Sequence, residues 1–328
     1  LSYIQNAIES VSLFMRSGQL LILESTSYPG TTEEILVTKV STKGYNVGKN
    51  YFIGYSPERE DPGNEQFTTF QIPKVVSGHE KNCLIVVSAF YEKIISKIVP
   101  VSSTKTAEFT KLFENIYRSV NISLVNETKM ITDRFGVNIH EVIEAAGTKP
   151  FGFTKFHAGP GVGGHCIPID PFYLSWKAKE FGLSTKFIDI AGEINNEIPN
   201  WIVQKIIYSL NEHHKSINGS DILLIGMAYK KDIGDWRESP AIEILQKLKK
   251  LGAGVRYCDP LLTRRQELKT RFGNSGVNWE DLELKNYDAV VIVTDHSLFD
   301  YNKIRQNARL IIDTRNVYKS DHPNVIRA

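Results

Sequence analysis

At 328 residues the chain is long enough for about two domains, and 41% hydrophobic with 23% charged residues is the balance of an ordinary globular protein. The formal net charge is only +2 with acids and bases interspersed, which leaves no electrostatic footprint for nucleic acid; Lys247, Lys249 and Lys250 read as the solvated face of one helix. Three scattered cysteines without a C-x-x-C pair argue against a disulfide framework and a zinc site and fit a reducing cytoplasm, and no apolar run approaches the ~18 residues of a membrane span.

The chain opens without Met, already inside an amphipathic helical pattern (Ile4, Ile8, Val11, Met15). That reads as a helix over 1–17 in a chain cut into mid-fold, its upstream part absent, and not as a signal peptide. Gly18 stops the helix, and Leu20-Leu21-Ile22-Leu23 has the continuous apolar character of a buried parallel strand. The polar turn 24–32 leads into a helix Glu33–Val40, the strand–turn–helix unit of a doubly wound sheet. Thr26 sits at that strand's carboxyl end, where a turn or cap role is its ordinary reading. A second strand, Tyr51–Tyr55, runs into Ser56-Pro57-Glu58-Arg59, a third ends at Val75-Val76-Ser77-Gly78, and Asn82–Lys97 reads as a helix whose Cys83 is packing.

From Thr104 to Phe135 runs the longest helical pattern. Lys111 and Asn115, four apart, share one of its faces. A lysine on a helix is ordinarily solvated. Then comes Gly159-Pro160-Gly161-Val162-Gly163-Gly164-His165-Cys166, with Pro168 and Pro171 close behind. Glycine frees the backbone and proline stiffens it, so a thiol here is presented on a rigid loop. A helix follows from Phe172, and Asp170 is within reach of the same pocket. Spacing alone leaves Cys166 open as either a nucleophile or a small buried hydrophobe. A long helix over Ile188–Leu210 connects to a second α/β pattern: a strand from Asp221, a helix Ser239–Leu251 capped by Ser239, and strands Gly254–Cys258, Ala289–Val293 and, last, Leu310–Asp313. Gly226 is a weak nucleotide signal, because no G-x-G-x-x-G opens a strand-to-helix turn. Lys230 and Arg237 are by themselves ordinary loop charges.

The run GGHCIPIDPFYL resembles the active-site signature of the UDP-glucose/GDP-mannose dehydrogenase family, and its His before the Cys is similar to the branch acting on UDP-N-acetylhexosamines. Four further segments resemble family motifs in family order: the turn with Thr26, SPER at 56–59 with PGN at 62–64, the AE..KL..N helix of Lys111 and Asn115, and AYKKDIGDWRESPA. The resemblance implies a C-terminal part of an NAD-binding domain over 1–100, a helical dimerisation domain over 101–205 and a UDP-sugar-binding domain over 206–328. The fold class is thus α/β, two doubly wound Rossmann-like sheets joined by a helical middle domain. It further implies oxidation of a UDP-sugar C6 hydroxyl to the acid with two NAD⁺ and one water, without aldehyde release, best matched to UDP-N-acetylglucosamine. UDP-N-acetylmannosamine and UDP-glucose enzymes are the nearest alternatives. Catalytic roles fall to Cys166, Lys111, Asn115 and Asp170. Substrate contacts fall to Glu58, Arg59, Phe156, Gly159, Gly163 and Lys230, and cofactor contacts to Thr26 and Arg237. Where UDP-glucose enzymes carry a second Glu after SPER, Pro62 stands here, so no acid role transfers.

The residue types suit that chemistry. Lys111 can serve the alcohol proton and, with Asn115, stabilise an oxyanion, and as a neighbouring cation it would favour a Cys166 thiolate. Water ordered by Asp170, Thr26 or Glu58 would hydrolyse the thioester, with the base among them open; His165 reads as a structural residue. Partners expected are the UDP-sugar and a second copy docked through the central helices, with no nucleic acid, membrane or metal. Two other classes stay open: a UDP-sugar-binding dimer without turnover, and a thiol-dependent transferase on the same loop.

Overall fold

The structure is a computed structural model that describes residues 1–60, 63, 67–262 and 266–328. The chain divides into two compact units, Leu1–Tyr117 with Ile169–Lys186, and Arg118–Pro168 with Phe187–Ala328. Pro62 and Asn64, part of the sugar-nucleotide loop read from the sequence, lie outside the described residues.

In the first unit, helix α1 (Ser2–Ser12) precedes strand β1 (Gln19–Leu23), a π-helical turn (Thr32–Val37) that runs on into α2 (Thr38–Thr42), strands β2 (Tyr51–Tyr55) and β3 (Lys74–Gly78), α3 (Lys81–Tyr91) and β4 (Ile98–Pro100). The strands lie in the order β1-β2-β3-β4. The pairs β1/β2 and β3/β4 are parallel, whereas β2 and β3 are antiparallel, a reversal that apolar runs cannot encode. Ile8, Leu36, Val40, Tyr51 and Ile53 form one core, and Val76, Val87, Tyr91 and Ile95 another. Gly54 explains how close α3 comes: a Cβ there would meet Val87 Cγ2 at 2.5 Å and the Ser77 carbonyl at 2.6 Å. The expected helix 82–97 ends early, at Tyr91, and its last residues feed β4.

The 31-residue α4 (Thr104–Arg134) and α6 (Cys166–Glu180) both cross the division between the units, with α5 (Ile139–Ala146) between them in sequence. The second unit continues with α7 (Lys186–Glu212), β5 (Asp221–Ile225), α8 (Pro240–Lys250), β6 (Gly254–Cys258), α9 (Gln266–Phe272), β7 (Ala289–Ile292), α10 (Tyr301–Asn307), β8 (Ile311–Asp313) and β9 (Val325–Arg327). Its five strands are all parallel in the order β6-β5-β7-β8-β9. Leu224 and Val291 pack on one face with α7 and α8, while Leu223, Val290 and Ile292 pack on the other with Ile304 of α10, which is why these strands read as unbroken apolar runs. Leu310–Asp313 is not the last strand. β9 is a half-buried edge of three residues, too short to carry a periodic signal. Strand order reverses between β5 and β7, and at such a switch point a doubly wound sheet offers a ligand crevice beyond the carboxyl ends of its strands.

Candidate active site

In the first unit, α4 carries Lys111 and Asn115 inward, opposite to the solvated reading of a helical lysine. Lys111 is 4% exposed and Asn115 fully buried. The Lys111 ammonium lies 3.5 Å from a carboxylate oxygen of Glu58, in the loop after β2. Asn115 Nδ2 donates to Asp170 Oδ2 at 2.6 Å, and Asp170 is itself buried. Arg59 is committed locally: its guanidinium pairs with Glu114 at 2.7 Å and donates to the Pro73 carbonyl at 2.6 Å.

Two residues that the sequence reading passed over complete this side. Tyr55, last in β2, is fully buried, and its hydroxyl has no hydrogen-bond partner among the described residues. Burial, then the carboxylates of Glu108, Asp170, Glu24 and Glu58, push its pKa far up, so it stays a neutral phenol among acids. Its place at a strand's carboxyl end was the available signal. Glu108, one turn before Lys111, accepts the Gly30 and Thr32 N–H groups at 2.5 and 2.8 Å and the Thr32 hydroxyl at 2.7 Å. It therefore anchors to α4 the turn that follows β1. Thr26, in that same connection, is half-buried.

In the second unit the glycine loop is shaped by packing. Gly161 and Gly164 have φ of 125° and 82°, where a side chain would be strained. A Cβ on Gly163 would meet the Glu238 carbonyl and Tyr229 Cβ, each at 2.7 Å, and one on Gly159 would meet the Arg315 guanidinium at 2.9 Å. The loop's root is clasped on both sides: Asn126 accepts the Gly159 N–H and Lys129 donates to the Gly159 carbonyl, each at 3.0 Å. Gly164 N–H donates to the Arg237 carbonyl at 3.1 Å. Phe156, earlier in this segment, is half-buried.

Helix α6 starts at Cys166 itself, not at Phe172. Proline costs no backbone bond in a first helical turn, so Pro168 sits in the first turn of this helix where the sequence reading took it for a loop. Of the three cysteines, Cys83 and Cys258 are buried and Cys166 is partly exposed. Arg237, exposed and paired with Asp235 at 2.7 Å, comes within 3.5 Å of His165 Nε2; the Asp235 bond raises its pKa most, and Cys166 is among the lesser contributors. Lys230, half-buried, follows β5.

That connection is braced by a third group the sequence reading passed over. His296 is fully buried at the carboxyl end of β7. The Asp232 N–H donates to its Nδ1 at 2.9 Å, so Nε2 carries the proton and donates to Asp259 Oδ2 at 3.1 Å. The same oxygen accepts the Met227 and Ala228 N–H groups at 2.7 and 2.9 Å. Burial alone would raise the Asp259 pKa, but these bonds outweigh it and hold the carboxyl below its usual range.

Three domain signatures of one family match the chain in order: the NAD binding domain over 1–95, the central domain over 105–197 and the UDP binding domain over 223–320 of the UDP-glucose/GDP-mannose dehydrogenase family. The chain belongs to that family. It is 34% identical over 326 residues to Protein CapL of Staphylococcus aureus, covering 97% of this chain and 76% of CapL. It is 32% identical over 295 residues to the UDP-N-acetyl-D-glucosamine 6-dehydrogenase of Pseudomonas aeruginosa, covering 89% and 69%. The solved structure of the UDP-D-ManNAc dehydrogenase from Pyrococcus horikoshii superposes with a TM-score of 0.89 at 31% identity, over all of this chain and 76% of that one. This family member is thus an NAD-dependent UDP-sugar dehydrogenase. Its own residues fit the cofactor at the end of β1. There the Ser27 hydroxyl is buried beside Thr26 with no hydrogen-bond partner among the described residues, at the strand end where dinucleotides sit.

Proposed function

We propose that this dehydrogenase oxidises the C6 hydroxyl of a UDP-N-acetylhexosamine, UDP-N-acetylglucosamine in the first place, to the uronic acid through a thioester on Cys166. The observation that carries the reading is the helix start: Cys166 heads α6, and one turn on, Asp170 is bonded to the buried Asn115 of α4. A thiolate at a helix N-terminus is the charge placement that the helix dipole favours.

Lys111 relays the proton of the C6 hydroxyl, passing one of its own to the Glu58 carboxylate 3.5 Å away as it receives the alcohol's, and with Asn115 it supports the oxygen on which negative charge develops. NAD, when bound, accepts the hydride in each of the two oxidations. After the first, the Cys166 thiolate adds to the aldehyde carbon and its oxygen takes up a proton, giving a thiohemiacetal. Loss of that carbon's hydride and the hydroxyl proton gives the thioester. Water then adds to the carbonyl and expels the thiolate, releasing the carboxylate. Glu58 and Asp170 are the carboxylates assigned to order that water. Thr26 and Arg237 are assigned to the cofactor, and Phe156, Gly159, Gly163 and Lys230 to the UDP-sugar. Arg59 acts by holding the Glu58 loop against Glu114.

The similarity to UDP-D-ManNAc dehydrogenase favours the C2 epimer as the second reading. NAD⁺ reduction measured against UDP-N-acetylglucosamine, UDP-N-acetylmannosamine and UDP-glucose separates them. The first is expected to give the highest kcat/KM, by about tenfold or more, the margin that one misplaced polar contact costs. A preference for UDP-glucose would overturn the N-acetylhexosamine assignment.

The same reading makes the enzyme a homodimer. Phe109, Phe113, Tyr117, Leu124 and Ile131 of α4 are all exposed, an apolar series that a second copy would cover. Light scattering is expected to give twice the chain mass, and Phe113→Glu to shift it to one; a monomeric wild type ends the proposal.

A further inference from the structure

The second unit holds a cavity of about 520 Å³ that the oxidation of the sugar does not use. Its walls carry four cations, Lys129, Lys205, Lys319 and Arg327. Lys205 is paired with Asp133 at 2.7 Å and Arg327 with Asp321 at 2.5 Å. Lys129 is 4% exposed and, among the described residues, has no carboxylate within ion-pair distance. Its ammonium donates to the Gly159 carbonyl and lies 5.0 Å over the Trp201 ring. A buried cation without a counter-charge is costly. Burial first, then Arg315, pushes its pKa down to about 7. Two more polar atoms in the walls are buried and, among the described residues, without a hydrogen-bond partner: the acceptor Asn316 Oδ1 and the donor Arg327 Nε. The same walls carry the carboxylates of Asp133, Glu141, Asp313 and Asp321, of which Asp133 and Asp321 are taken up by Lys205 and Arg327.

We infer that the cavity binds a small hydroxylated phosphate ester, its phosphate meeting Lys129 and Arg327 Nε and a sugar hydroxyl donating to Asn316 Oδ1. The volume lies within the usual range of small-molecule sites, roughly 300–1,000 Å³. The cavity is tied to the glycine loop that leads to Cys166, because Lys129 also holds that loop's root. The groups facing Lys129 are Asp133 of α4, Lys205 of α7, His140 of α5, Asp313 at the end of β8 and Arg315 just after it. Only Asp133 and Asp313 favour its charged form, and Asp133 is shared with Lys205. A phosphate dianion beside Lys129 adds a further charge that favours its ammonium form, so at pH 8.5 binding takes up a proton there.

Calorimetric titration of the full chain with glucose 1-phosphate, at pH 8.5 and with excess UDP to fill the nucleotide site, tests this. Saturable binding with net proton uptake, read from buffers of different ionisation enthalpy, is expected. Lys129→Met should abolish the proton uptake. Asn316→Asp should weaken binding at least about tenfold by opposing the phosphate, and its left-handed φ of 55° accepts aspartate, so this variant tests the site even where Lys129→Met fails to fold. Inorganic phosphate is expected to bind more weakly than the ester. Absence of saturable binding, equal affinity in Asn316→Asp, or inorganic phosphate matching the ester would each overturn the proposal.

Discussion

Replacing Cys166 by serine is expected to lower uronate formation by at least on the order of 10³-fold, the scale on which loss of a covalent nucleophile is felt. A thiol with an ordinary pKa near 8.5 is already a few per cent thiolate at neutral pH, whereas a serine hydroxyl has no comparable anion there. Cys166 is partly exposed at a helix start, so the exchange removes little buried area and the melting temperature should hardly move. Mass spectrometry of the product, alongside NADH absorbance, checks the result. Serine and alanine variants should be equally inactive in forming acid. Undiminished turnover in either would remove the thioester route and leave the non-covalent readings of the loop.

The second large effect concerns Asn115. Changing it to aspartate places a second carboxylate where the amide now bonds Asp170 at 2.6 Å, with both side chains buried. Two carboxylates this close cannot both ionise without cost, so one is held protonated and its folded-state pKa rises above the unfolded value near 4. The folded state then binds more protons than the unfolded one, and stability falls as pH rises from about 4 through the raised pKa. The variant is expected to lose about 3 kcal/mol at pH 8, the scale of an uncompensated buried charge. It should lose clearly less at pH 5, while wild type shows no such widening gap. Denaturant melts at the two pH values measure it, and an equal deficit at both would mean that the Asn115–Asp170 contact does not exist as described.

Much of the site was legible because its chemistry is local in sequence. Lys111 and Asn115 share a helix face by spacing alone, and Cys166 stands four residues before Asp170 whatever the fold does. What spacing could not convey was burial. A helical lysine is ordinarily solvated, and only the packing around α4 turned Lys111 inward. The same holds for the glycines at 159 and 163, which are fixed by the approach of Arg315, Tyr229 and Glu238 from far along the chain. Tyr55 and His296 escaped notice because each sits in a segment that reads as plain strand or loop. Their meaning comes from the groups that reach them: Glu108 and Asp170 for the tyrosine, Asp232 and Asp259 for the histidine.

The sequence by itself determined the α/β class, the order of the three family segments and the residue types available for a thiol-dependent oxidation. These depend on local propensity, hydrophobic period and motif spacing, which are properties of short stretches. It took long-range packing to show that β2 and β3 run antiparallel, that the helix begins at the cysteine itself, and that the Lys129 amine is buried with, among the described residues, no carboxylate within ion-pair distance. Strand direction, helix register and desolvation are set by contacts between residues distant in the chain, and no local pattern carries that information.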